Sequence, residues 1–136
     1  MTETLHERTG RMLHKASRSL RAAENLYDDG DYDFASSRAY YGVFYAMEAL
    51  LLLRNKTPAT HSGVIGEFSK EYVQTSIFPP ETGRNISRLF RERQLSDYEF
   101  PEELEPEEAH RDIETARSLI AMMQTYHEAY SRKPKE

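Results

Sequence analysis

The sequence contains no cysteine, so neither a disulfide framework nor a thiolate metal site is available, and the chain is compatible with a reducing cytosol. Long apolar runs are missing too. The longest aliphatic run, Ala49–Leu53, is far short of the roughly 20 residues a membrane-spanning helix needs. Met1–Arg11 is largely polar, where a secretory leader would place a basic stretch before an apolar one. These absences predict a cytoplasmic protein without membrane contact. There is no glycine-rich phosphate loop, nucleophile elbow or paired-histidine zinc motif. His6, His14, His61, His110 and His127 are scattered, none spaced from another for a helical metal site. No metal and no cofactor is expected. No segment alternates like a strand, and no internal repeat occurs.

The chain has 136 residues, 11% aromatic and 30% charged, which suits one folded domain over residues 1–136 with its core at about 5–130. The net charge of −5 is not that of a surface built as a whole to attract nucleic acid, but it is unevenly placed. Arg8, Arg11, Lys15, Arg18 and Arg21 crowd the first segment, whereas Glu99–Glu128 carries acidic residues against only Arg111 and Arg117. A basic face can coexist with an acidic total.

Helical spacing recurs in five segments. Met12, Ala16, Leu20, Ala23 and Tyr27 form the first stripe, ended by Asp28-Asp29-Gly30-Asp31 with Gly30 as a left-handed cap. The second segment, about Tyr32–Asn55, is apolar almost all round through Phe34, Tyr40, Tyr41, Val43, Phe44, Met47, Leu50 and Leu51. Such a helix is central or lies at a subunit contact. Gly42 costs about 1 kcal/mol in a helix interior, which points to close approach of a neighbouring backbone. Thr60, His61 or Ser62 caps a third segment with Val64, Ile65, Phe68 and Tyr72 inward. A fourth, about Glu81–Asp97, turns Ile86, Leu89 and Phe90 inward. The fifth repeats Ala109, Ile113, Ala116, Ile120, Met123, His127 and Tyr130. The expected fold class is all-α, an up-down antiparallel bundle of four to five helices.

Three stretches carry a family resemblance. Ser36-Ser37-Arg38-Ala39-Tyr40-Tyr41-Gly42-Val43-Phe44-Tyr45-Ala46-Met47-Glu48-Ala49-Leu50-Leu51 is similar to the second-helix signature of HEPN domains. Thr60-His61-Ser62-Gly63-Val64-Ile65, followed by Leu89-Phe90-Arg91-Glu92-Arg93-Gln94-Leu95-Ser96-Asp97-Tyr98, resembles the later landmarks of the uncharacterised UPF-type subgroup. The similarity runs from about Leu13 to Tyr130. It implies a bundle that commonly forms a homodimer. It also implies relatives that pair with a small nucleotidyltransferase in toxin–antitoxin modules, and relatives that are metal-independent ribonucleases.

In those ribonucleases an Arg precedes a His by four to six residues. The Arg stabilises charge on a phosphate while the His moves the 2′-hydroxyl proton. At the matching position this chain has Arg91, then Asp97 and Tyr98. An Asp titrates near 3.9 unless perturbed and repels phosphate. The resemblance therefore leaves catalysis open, with Arg91 and with Asp97 or His61 as candidate catalytic groups. Tyr98 corresponds to the acceptor in relatives that receive a nucleotide from their transferase. Arg54 also precedes His61, and Arg8 precedes His14, at comparable spacing. Arg38, Tyr41, Tyr45, Arg84, Arg88 and Arg93 are candidate binding residues for RNA or a nucleotide. Two basic stripes frame them: Arg8, Arg11, Lys15 and Arg18 on one helix face, and Arg84, Arg88 and Arg91 on another. The plainer readings are a solvated basic face, a surface ion pair between Arg93 and Asp97, a capping role for His61-Ser62, and tyrosines that serve the core or a dimer contact. Tyr41, Tyr45 and the fourth helix are the expected dimer surface. A purely structural dimerisation module is the remaining alternative.

Overall fold

The computed structural model describes residues 2–98 and 104–131, without the side chains of 94–98 and 131. Five helices follow in order: α1 (Leu5–Asp28), α2 (Tyr32–Leu52), α3 (His61–Phe68), α4 (Pro80–Tyr98) and α5 (Pro106–Ser131). A π-helical segment, Ser69–Val73, extends α3. No strand occurs among the described residues, and none of the helices is long and apolar enough to cross a membrane.

Helix α1 starts at a capping box, with Thr4 accepting from the Glu7 amide while the Glu7 side chain accepts from the Thr4 amide. It ends at Gly30, whose φ of 82° lets the chain reverse into α2 without a Cβ penalty. Helices α1, α2 and α5 form the main core. Twelve residues of α2 are buried, including Ala35, Ala39, Val43, Ala46, Met47, Leu50 and Leu51. Small residues let the helices close up. At Gly42 an added Cβ would lie 3.1 Å from the Ala16 carbonyl oxygen and 3.1 Å from Ile120 Cδ1.

Two details differ from the apolar pattern. The buried line of α1 runs through Thr9, Leu13, Ala16, Ser19 and Ala23, with Met12, Leu20 and Tyr27 on its flanks. Phe34, counted with the apolar face of α2, is 65% exposed, because it lies in the first turn of α2. On α5 the expected stripe from Ala109 to His127 is buried, and Tyr130 is exposed at its end.

The widened turn after α3 has a visible use. It seats Tyr72 in the core, where its hydroxyl donates to the Leu50 carbonyl, and stacks Phe68, Tyr72 and Phe78. Helix α4 is attached differently. Its apolar side, Ile86 and Leu89, meets the core, while its link to α5 is polar. Arg88 donates to Thr115 at 2.8 Å, and Arg111 donates to Glu92 at 2.8 Å.

Candidate functional site

The junction of α2, α3 and α4 gathers the chemistry-bearing side chains. Thr60 caps α3 by accepting from the Gly63 amide at 2.9 Å, which makes His61 the first residue of the helix. From there its ring stacks on Phe44 with centroids 4.2 Å apart, and its Nδ1 is hydrogen-bonded to the Tyr40 hydroxyl at 2.9 Å. Tyr40 is buried and packs against Phe90 of α4. One turn beyond Phe90, Arg93 donates to the Tyr41 hydroxyl at 2.5 Å, with its guanidinium 4.9 Å from the Tyr41 ring centroid. Arg38, one turn before Tyr41 on α2, holds its own guanidinium 4.9 Å from the same ring. One phenol thus has two cations against it, beside an imidazole.

The charges act on one another. Burial, and then the neighbouring Arg93 guanidinium, hold the His61 pKa below its ordinary value. His61 is therefore a neutral base at pH 7, able to accept a proton while the arginines beside it stay charged. Burial above all pushes the Tyr40 hydroxyl well above its usual range, so it remains protonated as a hydrogen-bonding partner for the imidazole.

The tyrosine row continues toward α1. Tyr41 and Tyr45 have ring centroids 6.2 Å apart, and Lys15 sits 4.3 Å over Tyr45. Lys15, Arg38 and Arg93 therefore come from three helices onto adjacent phenol rings. These rings act here as supports for cations rather than as bare stacking platforms.

The other candidate residues divide clearly. Arg84 and Arg91 are exposed and line a groove of about 500 Å³ between α4 and the α3 extension. Arg88 leaves that face. It donates to Thr115, lies 4.0 Å from Asp112 and 3.7 Å from Glu92, so the Arg84–Arg88–Arg91 stripe is split between the groove and the α4–α5 contact. Arg54 is held over Tyr72 at 4.6 Å, bonded to the Tyr126 hydroxyl and 4.0 Å from Glu71, which engages it away from His61. In the α1 stripe Arg11 pairs with Glu3 at 2.6 Å, and Arg8 lines a small cavity with Glu48 and Lys56. Asp97 and Tyr98 belong to the last turn of α4; their side chains lie outside the described residues.

Sequence reasoning passed over two polar groups. The Tyr40 hydroxyl, which is hydrogen-bonded to His61, belongs to a tyrosine read only as core or dimer contact, while Tyr41 and Tyr45 beside it were the candidate binding residues. Asp112 is fully buried on α5, accepting from the Ser36 hydroxyl at 2.5 Å. Its signal was legible: it lies three residues after Ala109 and four before Ala116, on the buried face of its helix.

A family model described as the HEPN domain matches residues 9–126. The chain belongs to the HEPN family. Among its relatives is a protein of Methanocaldococcus jannaschii named "Putative toxin MJ0142", 42% identical over 99 residues, which cover 73% of this HEPN chain and 67% of that one. A second toxin-named relative from the same organism, MJ0605, is 31% identical over 120 residues, 88% of this chain and 89% of its own. A UPF0332 protein of Thermotoga maritima is 36% identical over 93 residues, 65% of this chain and 70% of its own. The crystal structure of TT1696 from Thermus thermophilus superposes with a TM-score of 0.74 at 19% identity, covering 87% of this chain and 97% of the other. That likeness shows the HEPN-like helical fold. The UPF-type subgroup suggested by the Thr60–Ile65 and Leu89–Tyr98 stretches is supported by the UPF0332 relative, and the toxin-named relatives are consistent with a toxin-like module.

Proposed function

We propose that this protein is the RNA-directed, toxin-like member of a two-component module, acting as a homodimer, and that Arg38, Tyr41, His61 and Arg93 bind RNA phosphate. The observation that carries the reading is the pair of guanidinium groups held 4.9 Å from one tyrosine ring beside a neutral imidazole. Guanidinium forks suit phosphate oxygens, and holding them on a phenol lowers the conformational entropy lost when a phosphate arrives. The row extending to Lys15 supports a ligand longer than one nucleotide. Fluorescence anisotropy with a short labelled RNA should show Arg38→Gln and Arg93→Gln each weakening binding about tenfold and reducing the salt slope by about one. Affinity unchanged in both variants would sink the assignment.

The neutral state of His61 favours a second reading, metal-independent cleavage. His61 would take the 2′-hydroxyl proton as that oxygen attacks phosphorus. The 5′-oxygen would leave with a proton from solvent, giving a 2′,3′-cyclic phosphate and a 5′-hydroxyl. The same RNA, incubated with chelator and run on a gel, should be cut by the native chain and not by His61→Ala. Intact RNA across pH 5–8 rules out cleavage and leaves binding standing.

Family membership and the toxin-named relatives support a protein partner. By the resemblance of Leu89–Tyr98 this partner is a small nucleotidyltransferase, with Tyr98 as the nucleotide acceptor. Co-incubation with a cognate transferase and ATP should add one nucleotide by mass spectrometry in the native chain and none in Tyr98→Phe. Modification that persists in the variant removes Tyr98 from the proposal.

A further inference from the structure

The groove between α4 and the α3 extension lies outside the Arg38–His61–Arg93 cluster, one helical turn from His61 along α3. Ile65 follows His61 by one helical turn on α3, and Arg91 faces it from α4. Both line the groove. Its floor is apolar, formed by Ile65, Phe68, Val73 and Ile86, of which Phe68 and Ile86 are buried. Its α4 wall is low, because Gly83 and Ser87 stand where larger side chains would close it. Arg84 and Arg91 stand on the rim, seven residues and so about 10 Å apart along the helix. Neither is paired with a carboxylate among the described residues, whereas Arg11, Arg54, Arg88, Arg111 and Arg117 all are.

We propose that this groove takes an unpaired nucleobase of the bound RNA, with the planar base on the apolar floor and its flanking phosphates on Arg84 and Arg91. The inference rests on the RNA-binding reading above and assigns to it a second, base-holding subsite. An apolar floor gains nothing from a sugar–phosphate chain, but every base has a π-face that aliphatic and aromatic side chains can cover. The rim supplies the opposite preference, two cations for the phosphates on either side. A base stacked inside a duplex cannot enter a groove of about 500 Å³ without leaving its helix. The subsite therefore selects single strands. An acidic amphipathic peptide would also meet the two rim charges. A position one helical turn from His61 along α3, and a wall flattened at Gly83 and Ser87, favour the base.

Fluorescence anisotropy on the full chain distinguishes the cases, using a labelled single-stranded RNA, the same strand with abasic residues throughout, and a hairpin duplex of equal length. The native protein is expected to bind the single strand about tenfold tighter than either other ligand. Ser87→Trp fills the groove from an exposed position. It should bring the single strand down to the abasic level while leaving abasic binding unchanged and the circular dichroism spectrum helical. Arg84→Gln and Arg91→Gln should each lower the salt slope for the single strand. Equal affinity for normal and abasic strands overturns the groove assignment, and so does a Ser87→Trp variant that binds all three ligands as the native chain does. If that variant loses only capture of a synthetic acidic amphipathic peptide, the groove is a protein-docking surface and the proposal falls. About tenfold weaker binding of all three ligands by Arg93→Gln, without base discrimination in the native chain, would uphold the phosphate site and remove the groove alone. No binding of any ligand by the native chain removes both.

Discussion

Gly42→Val is expected to destabilise the fold by about 3 kcal/mol in denaturant unfolding, with the midpoint falling and the slope unchanged. The cause is local and rigid. A Cβ at residue 42 would sit 3.1 Å from the Ala16 carbonyl oxygen and 3.6 Å from the Leu20 amide, both part of the α1 backbone, and 3.1 Å from Ile120 Cδ1 of α5. A flexible side chain could swing aside, but a helix backbone can only be pushed away whole. That would separate α1 from α2 along the line where Ala16, Ala23, Ala39 and Ala46 pack with no exposed surface. Gly42→Ala sets the squeeze against a gain of about 1 kcal/mol in helix propensity and should be near neutral. Gly66→Ala is the control. An added Cβ there meets nothing within 4 Å, so it should stabilise by up to about 1 kcal/mol. If Gly42→Val unfolds at the native midpoint, close backbone approach is not why a glycine stands in α2.

That close approach illustrates what a sequence conveys. Gly42 inside the most apolar segment was a cost without local compensation, so the neighbouring backbone could be inferred before its identity was known. The α5 stripe was equally plain, because Ala109, Ile113, Ala116, Ile120, Met123 and His127 keep helical spacing without interruption and all are buried. The π-helical turn at Ser69–Val73 was not legible. Its residues keep the spacing of an ordinary helix, and the extra residue is accommodated only because Tyr72 gains the Leu50 carbonyl and the rings of Phe68 and Phe78. Tertiary contacts decide that turn, and one sequence does not contain them in readable form. Phe34 failed for a related reason: spacing assigns a face, but the first turn of a helix extends past the core it faces.

The site was less legible than the fold, since its members are joined by crossing helices rather than by spacing. Arg38, His61 and Arg93 lie on three different elements and meet through Tyr40 and Tyr41. The linear Arg-to-His spacings did not lead there. Arg54 precedes His61 in sequence but is drawn to Tyr72, Tyr126 and Glu71. Arg88 looked equivalent to Arg84 and Arg91 at helical spacing, yet Asp112 and Thr115 of α5 draw its side chain away from the groove toward α5. The helix wheel places a residue on a face, and it takes the neighbour to decide which way a long side chain leans.

The same carboxylate gives the chain a pH dependence of its own, and Asp112→Asn is expected to abolish it. Burial is the main reason that the Asp112 pKa is pushed up to about 7; the Ser36 hydroxyl and Arg88 pull it down, while Glu92 pushes it further up. Asp112 Oδ1 and Glu92 Oε2 are both buried without a hydrogen-bond partner among the described residues, and a proton on Asp112 would link them. Between about pH 4, where the unfolded chain loses this proton, and about pH 7, where the native chain does, unfolding releases it. Stability attributable to Asp112 is therefore full below pH 4, falls by about 1.4 kcal/mol per unit through that window, and levels off above pH 7. His61 and His127 work against it. Both have pKa values lowered chiefly by burial, so the native chain resists protonating them, and their contribution is lost as the pH falls below about 6.5. Comparing each variant with the native chain at the same pH separates the two effects. Asparagine keeps an oxygen for the Ser36 hydroxyl and offers Glu92 a permanent N–H, standing in for the protonated acid. Asp112→Asn should thus match the native chain at pH 4.5 and exceed it by about 3 kcal/mol at pH 8. Asp112→Ala, which leaves Ser36 and Glu92 without a partner, should be less stable than Asp112→Asn at every pH. A constant difference between Asp112→Asn and the native chain from pH 4.5 to 8 would mean that Asp112 is ionised throughout. Arg88 would then hold α4 to α5 as an ordinary ion pair.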